Sequence, residues 1–138
     1  MFIRRNKKRS RRIDCLIGAG TVVHGDIRVS GGLRVDGTVR GKIMAKEGGA
    51  ATLVLGEHGR IEGEIWVTYA VLNGTVLGTV HAAEEVELQA RAAVSGDIRY
   101  KSLEMHPGAV VRGKLIPDGE KPAVENDKVI AFKPASGD

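Results

Sequence analysis

Four histidines, His24, His58, His81 and His106, are the residues of this 138-residue chain best suited to acid–base catalysis. Each lies in or beside a sequence repeat but at a different position within it, and no cluster of acidic residues surrounds a nucleophile. The sequence also lacks metal-ligand spacings and a glycine-rich phosphate loop ahead of a helix. We therefore expect surface histidines, no catalytic residue, no metal and no cofactor.

Cysteine occurs once, at Cys15, so an intrachain disulfide is impossible and a disulfide-stabilised extracellular scaffold is excluded. A basic run without an apolar stretch precedes Cys15, which argues against a lipoprotein signal. No apolar run approaches the length of a membrane-spanning helix. We expect a cytoplasmic protein that is not an enzyme, with Cys15 as an ordinary residue at the edge of the fold.

A repeat in the sequence predicts the strands that position these side chains. A five-residue pattern (apolar, any residue, glycine, polar, apolar) recurs along the chain, as in Val94-Ser95-Gly96-Asp97-Ile98. Self-similarity at such an interval is typical of stacked repeat architectures. We call the central residues of the pattern corner glycines, and they are Gly25, Gly41, Gly63, Gly78, Gly96 and Gly113.

Each repeat predicts three short strands. An alternating strand follows each corner glycine, as at Ile27 and Val29; a second follows, as at Leu33-Arg34-Val35; a third ends just before the next corner glycine. Aromatic residues make up only 4% of the chain, whereas short aliphatic runs alternate with 19 glycines, which suits stacked strands better than helices. Because one repeat cannot bury its apolar side alone, the sequence predicts an all-β solenoid of about six rungs.

Stacking of the rungs aligns equivalent residues along the axis. The predicted core column is Ile27, Ile43, Ile65, Val80, Ile98 and Leu115. The residue after each corner glycine should form an exposed column, with opposite charges on adjacent rungs at Asp26/Lys42, Lys42/Glu64 and Asp97/Lys114. Corners absorb the insertions: they are short at Asp36-Gly37 and Asn73-Gly74 and two residues longer in three other repeats.

Composition divides the chain into a basic tail at 1–15, a repeat domain at 16–117 and a tail at 118–138 that we expect to be disordered. The first tail has two ingredients of a peripheral membrane anchor, an apolar tip and a run of cations without an acid. The alternatives are a solvated basic tail without a specific role and a tail attracted to nucleic acid, but phosphate contacts do not require the apolar tip. The predicted membrane contacts are Met1, Phe2, Ile3, Arg4, Arg5, Lys7, Lys8, Arg9, Arg11 and Arg12.

A rival interpretation is a left-handed β-helix acyltransferase, an enzyme class that also builds three-sided rungs and often uses a histidine base. Ile17, Val23, Val29 and Val35 fall at the six-residue interval that such hexapeptide repeats require. The interval is then lost, because Val39 and Ile43 are closer together and the later corners vary in length. The variable corners count against the enzyme.

The repeat region, residues 16–117, resembles the bactofilins, a family of bacterial polymer-forming cytoskeletal proteins. The resemblance rests on the repeated glycine–polar–apolar corners and on a compact repeat core between short polar tails. It is most specific in two segments, Ala93-Val94-Ser95-Gly96-Asp97-Ile98 and Leu103-Glu104-Met105-His106-Pro107-Gly108-Ala109-Val110-Val111-Arg112-Gly113.

The resemblance implies a right-handed three-sided parallel β-helix that polymerises end to end without nucleotide into non-polar filaments, head to head and tail to tail. It further implies a scaffold at the inner face of the cell membrane that localises cell-shape or cell-wall machinery, with cell-wall enzymes or other bactofilins as partners and no nucleic acid. An aromatic residue is common near the last rung of family members, but here the segment is Gly113-Lys114-Leu115-Ile116. We expect the end contacts at Ile17, Val22 and Val23 on one side and at Val111, Leu115 and Ile116 on the other.

Overall fold

The computed structural model describes residues 13–47 and 49–118, and every regular element within them is a β-strand paired in parallel with its neighbours. The predicted all-β class is therefore confirmed. The strands are β1 (Cys15–Ile17), β2 (Val22–His24), β3 (Ile27–Val29), β4 (Gly31–Val35), β5 (Thr38–Arg40), β6 (Ile43–Ala45), β7 (Ala51–Leu55), β8 (Arg60–Glu62), β9 (Ile65–Leu72), β10 (Thr75–Leu77), β11 (Val80–Leu88), β12 (Ala93–Ser95), β13 (Ile98–Tyr100), β14 (Ser102–Met105), β15 (Val110–Arg112) and β16 (Leu115–Pro117).

The chain visits three faces in turn, and one circuit makes one rung of a solenoid of about 6 turns. Face 1 contains β1, β4, β7, the second half of β9, the second half of β11 and β14. Face 2 contains β2, β5, β8, β10, β12 and β15. Face 3 contains β3, β6, the first half of β9, the first half of β11, β13 and β16. The rungs are 15–29, 31–45, 51–67, 69–82, 85–100 and 102–117, numbered 1 to 6.

Two strands continue around the corner between face 3 and face 1 without a break. The first residues of β9 pair with β6 and its last residues pair with β7. Strand β11 follows the same path, and its register against β9 shifts between Ala82 and Glu85. Such an irregularity bends a strand, so the corner is turned inside continuous β-structure. The sequence repeat predicts separate strands at these two places.

The predicted core column exists. Its members are register partners in face 3: Ile27 pairs with Ile43, and the pairing continues through Ile65, Val80 and Ile98 to Leu115. The four central residues are completely buried, whereas the two end residues are only partly buried. Similar columns fill the other faces, such as Val39, Ile61, Val76 and Val94 in face 2 and Val35, Leu55, Leu72 and Leu88 in face 1.

The corner glycines stack on one another between face 2 and face 3. A Cβ atom on Gly96 would overlap the carbonyl oxygen of Gly78, and the same holds between each corner glycine from Gly41 to Gly113 and the one before it. The backbone N–H of Gly78 donates to Ser95 on the next rung at 3.0 Å, and equivalent bonds join the other corners. Glycine is therefore required by close approach of successive rungs, because only a residue without Cβ fits this spacing.

The polar residues that follow corner glycines also connect rungs. The carboxylates of Asp26 and Asp97 accept hydrogen bonds from the backbone N–H groups of Lys42 and Lys114, each at 3.0 Å. The opposite charges predicted at these positions do lie on adjacent rungs, but the carboxylates bind the lysine backbones. In the corner between β9 and β10, Asn73 Oδ1 likewise accepts a hydrogen bond from the backbone N–H of Arg91 on the next rung, at 2.9 Å. These bonds fix register because each acceptor reaches one donor on the neighbouring rung.

A Gly41→Ala substitution tests the stacking of the corner glycines. Gly41 does not have a positive φ, so the added Cβ acts through overlap with the Gly25 carbonyl oxygen alone. We expect destabilisation by about 1–3 kcal/mol, the usual cost of forcing extra volume into a packed site. Thermal unfolding followed by circular dichroism measures the effect. Gly18→Ala is the matched control, because its Cβ would have open space; equal stability of the two variants would contradict the close-approach argument.

Candidate end-to-end interfaces

The N-terminal end of the solenoid consists of β1, β2 and β3, each of which is paired on one side only among the described residues. Three of its side chains are exposed apolar residues, namely Ile13, Leu16 and Val22, of which Leu16 is 59% exposed. Val23 and Ile27 end their core columns and are partly buried. The end therefore presents open strand edges around the uncovered end of the apolar interior.

The C-terminal end consists of β14, β15 and β16, which also have a paired neighbour on one side only in the part of the chain that the structure describes. Leu103, Met105, Val111 and Leu115 end core columns and are partly buried. Val110 is 47% exposed. The residues that precede these four in their columns, Val86, Leu88, Val94 and Ile98, are buried, so the partial exposure of the column ends arises from the absence of a further rung within the described chain. Val110 instead belongs to an outward-facing column of face 2 that also contains the exposed Arg60.

The structure places the predicted end contacts in three different situations. Val23, Val111 and Leu115 point inward at the ends of core columns. Val22 is half exposed, and Ile116 alternates with Leu115 and is partly buried. Ile17 is only 9% exposed and belongs to the core, although its strand β1 is an edge. All six lie in end strands, three at each end.

Sequence reasoning missed several end residues that the structure exposes: Leu16, Leu103, Met105 and Val110. Leu103 and Met105 continue the columns of Val86 and Leu88 across face 1. A signal for them existed, because the repeat already assigned this segment to the second strand of the last rung. Extending each predicted column to its final member would have found them.

The predicted membrane contacts, from Met1 to Arg12, lie outside the described residues. Within 13–47 and 49–118, the structure contains no helix that is long and apolar enough to cross a membrane. The assignment of the basic tail to a membrane surface thus stays a prediction, as does the disorder of the C-terminal tail.

The histidines occupy separate strands and corners, as their different repeat positions predict. His24 is in edge strand β2, and His58 is in a corner of rung 3; both are exposed. His81 is on face 3, where its ring lies 4.5 Å from that of Trp66. His106 begins the corner after β14 and is half-buried. Cys15 is exposed in edge strand β1, consistent with a position at the edge of the fold.

One histidine does meet acidic groups from two rungs. The Nε2 atom of His106 is 3.2 Å from Oε2 of Glu87 and 3.4 Å from Oε2 of Glu104. These three are the residues of the described chain whose ligand atoms are grouped closely enough to hold a metal ion. The sequence analysis missed the group because Glu87 belongs to a neighbouring repeat, so the ligands show no local spacing.

Hydrogen bonds with charged neighbours shift the pKa values of Glu62 and Arg34, which lie on the sides of the solenoid. On face 2, Glu62 accepts from Arg60 Nε at 2.7 Å and lies 3.3 Å from Arg40 Nε on the adjacent rung. The hydrogen bond from Arg60 is the main cause that lowers the pKa of Glu62; burial opposes it, and the charges of Arg40 and Arg60 add to it. On face 1, the hydrogen bond to Asp36 raises the pKa of Arg34.

The family model described as "Bactofilin: Polymer-forming cytoskeletal" matches residues 15–116. Bactofilin BacP of Myxococcus xanthus (strain DK1622) is 32% identical over 117 residues, which are 83% of this chain and 47% of BacP. Bactofilin BacO of the same organism is 32% identical over 100 residues, which are 72% of this chain and 76% of BacO. The chain thus spans about half the length of BacP and about three quarters of BacO. No solved structure matches it significantly.

The charge cluster on face 2 predicts a pH-dependent contribution to stability. Because the folded state lowers the pKa of Glu62, this contribution is present above the ordinary glutamate pKa and is lost as the pH falls through the lower folded-state value. We expect Glu62→Gln to lower the melting temperature at pH about 7 but not at pH about 2–3. Glu47→Gln is the control, since Glu47 is exposed in a corner. A difference from wild type that persists at the acid end would refute the assignment.

Proposed function

Because the chain belongs to the bactofilin family of polymer-forming cytoskeletal proteins, we propose that it polymerises end to end, without nucleotide, into filaments. One observation carries this proposal: within residues 13–47 and 49–118, each end of the solenoid has three strands paired on one side only, around core columns that end in partly buried apolar residues. Open strand edges are either capped or pair with another chain. Residues 13–118, apart from 48, contain no helix that caps either end.

The proposed end contacts are Ile17, Val22 and Val23 on one side and Val111, Leu115 and Ile116 on the other. Their burial suggests different contributions. Val23, Val111 and Leu115 end core columns, so a second copy would remove their remaining apolar surface from water. Ile17 is already buried, so its strand would contribute through backbone hydrogen bonds at the edge of β1.

The filaments we propose are non-polar, with head-to-head and tail-to-tail contacts. In such a filament each interface joins two copies of the same end, so the interfaces are isologous and each is self-complementary. The two ends then need different sets of contacts. This agrees with their different side chains, which are Ile13, Leu16 and Val22 at one end and Val110 and Leu115 at the other.

We place the filament at the inner face of the cell membrane, held by Met1 to Arg12. Each basic residue near an anionic surface contributes about 1 kcal/mol, and many copies on one filament bind together by avidity. The described chain begins beside edge strand β1, where the basic segment is attached. In this position the filament would act as a scaffold for cell-shape or cell-wall machinery, with cell-wall enzymes or further bactofilins as partners.

Electron microscopy of purified protein without nucleotide should show filaments, and Leu115→Arg should abolish them while leaving the β-rich circular dichroism unchanged. The reason is that the substitution would bury an unpaired charge at the junction. Leu77→Arg is the matched control, because Leu77 is exposed on the side of a middle rung; it should still form filaments. A monodisperse wild-type monomer at high concentration and physiological salt would refute the polymerisation proposal.

A second variant separates non-polar from polar assembly. If each end binds its own kind, Val23→Arg and Leu115→Arg should each stop at a dimer joined through the intact end. If the ends bind one another instead, each variant alone should be a monomer, and a one-to-one mixture should form dimers. Analytical ultracentrifugation distinguishes these results, and dimers that appear only on mixing would rule out the non-polar arrangement.

Deletion of Met1 to Arg12 tests the membrane proposal. We expect the deleted protein to lose binding to phosphatidylglycerol vesicles in a sedimentation assay, because both the cations and the apolar tip are removed. Filament formation should be unaffected. A variant with Phe2→Ser and Ile3→Ser keeps the cations and should bind more weakly than wild type. Full binding by the deleted protein would show that the anchor lies elsewhere.

A further inference from the structure

Two glutamates lie directly opposite each other on the outer side of face 1. Glu87 in β11 and Glu104 in β14 are register partners on rungs 5 and 6. Glu87 is only 7% exposed, and its Oε2 accepts from Gln89 Nε2 at 3.1 Å. Like charges directly opposite on paired strands are destabilising, and a buried carboxylate is costly without a compensating cation. A positive charge at this point would offset the repulsion between the two carboxylates.

His106 directs its imidazole nitrogen at this pair. Its backbone N–H donates to the Leu88 carbonyl at 2.8 Å, which holds the corner against rung 5. The Nε2 atom is buried and has no hydrogen-bond partner among the described residues, although the two carboxylate oxygens are 3.2 and 3.4 Å away. An imidazole nitrogen in this position can bind a metal ion together with the two carboxylates or, when protonated, form an ion pair with both.

The distances from His106 Nε2 to the two carboxylate oxygens fit a small tetrahedral ion. Bonds of about 2.0–2.1 Å at tetrahedral angles place neighbouring ligand atoms about 3.3 Å apart. The separations of His106 Nε2 from the carboxylate oxygens of Glu87 and Glu104 bracket this value. Gln89 orients the Glu87 carboxylate through its amide, which is the role that outer hydrogen bonds have in metal sites.

We propose that Glu87, Glu104 and His106 bind a divalent transition-metal ion of the Zn²⁺ type. One imidazole nitrogen with two carboxylates favours such an ion over Mg²⁺ or Ca²⁺, which prefer oxygen ligands alone. The Glu104 side chain is 58% exposed, so the site opens to solvent and water completes the coordination. Since Glu104 lies in edge strand β14, the ion joins the last rung to the one before it and holds the C-terminal end in shape.

A protonated His106 could also neutralise the two carboxylates without a metal, and the experiment separates the two arrangements. Titration of the full chain with ZnCl₂ alone, followed by isothermal calorimetry, should give one strong site per chain. Glu104→Gln and His106→Gln should each weaken binding by about tenfold or more, because each removes a ligand. His58→Gln should bind like wild type, since His58 is exposed in a corner of rung 3 and contacts Glu57 at 3.4 Å rather than the proposed ligands.

Two further measurements distinguish the metal site from an ion pair and from the polymerisation interface. Co²⁺ in place of Zn²⁺ should give the visible absorption of a tetrahedral site in wild type and lose it in His106→Gln. The Leu115→Arg variant should bind Zn²⁺ as wild type does, so failure of polymerisation and failure of metal binding are distinguishable. Absence of Zn²⁺ binding in wild type, or binding unchanged in both Glu104→Gln and His106→Gln, would overturn the proposal and leave a protonated ion pair.

Discussion

The close approach of successive corner glycines is the constraint on which the rest of the structure depends. From Gly41 onward, each of these residues sits against the carbonyl oxygen of the one before it, with no space for a Cβ atom. This contact sets one corner of every rung at the same place relative to its neighbour. Once the corner is fixed, the residues after it are fixed in register, and Ile43, Ile65 and Ile98 must stack in one column. Insertions elsewhere cannot disturb the column, because other corners absorb them.

The same constraint explains why the apolar core columns are incompletely buried at the two ends of the solenoid. A globular core closes on itself, whereas a stack of equivalent rungs buries each apolar residue between the rung before and the rung after. The first and last members of every column therefore lose one neighbour, as the partial burial of Ile27 and Leu115 shows. Nothing in the repeat distinguishes a rung at the end from one in the middle. A second copy of the chain is the cover that we propose for the exposed columns.

Sequence reasoning succeeded within the repeat and was incomplete between repeats. The alternation of apolar residues identified the core column, and Asp-Gly and Asn-Gly pairs identified the short corners at Asp36-Gly37 and Asn73-Gly74. It did not reveal that β9 and β11 continue around a corner, because the bend depends on the register of the neighbouring rung. It assigned Asp26 to a lysine side chain, whereas the carboxylate binds the lysine backbone. Contacts between rungs depend on three-dimensional spacing that a variable repeat length hides.

Stacking also brings together residues that share a position in the repeat, and this has consequences on the outside of the solenoid. At Arg40 and Glu62 the adjacent rungs carry opposite charges, and Arg40 adds to the larger effect of the Arg60 hydrogen bond in lowering the pKa of Glu62. At Glu87 and Glu104 the charges are alike, so stacking of the two rungs places like charges opposite each other. The side chain nearest to both carboxylates comes from His106, in the corner that follows β14. The stacking rule thus produces repulsion between Glu87 and Glu104, and it is at this position that we place the proposed metal ion.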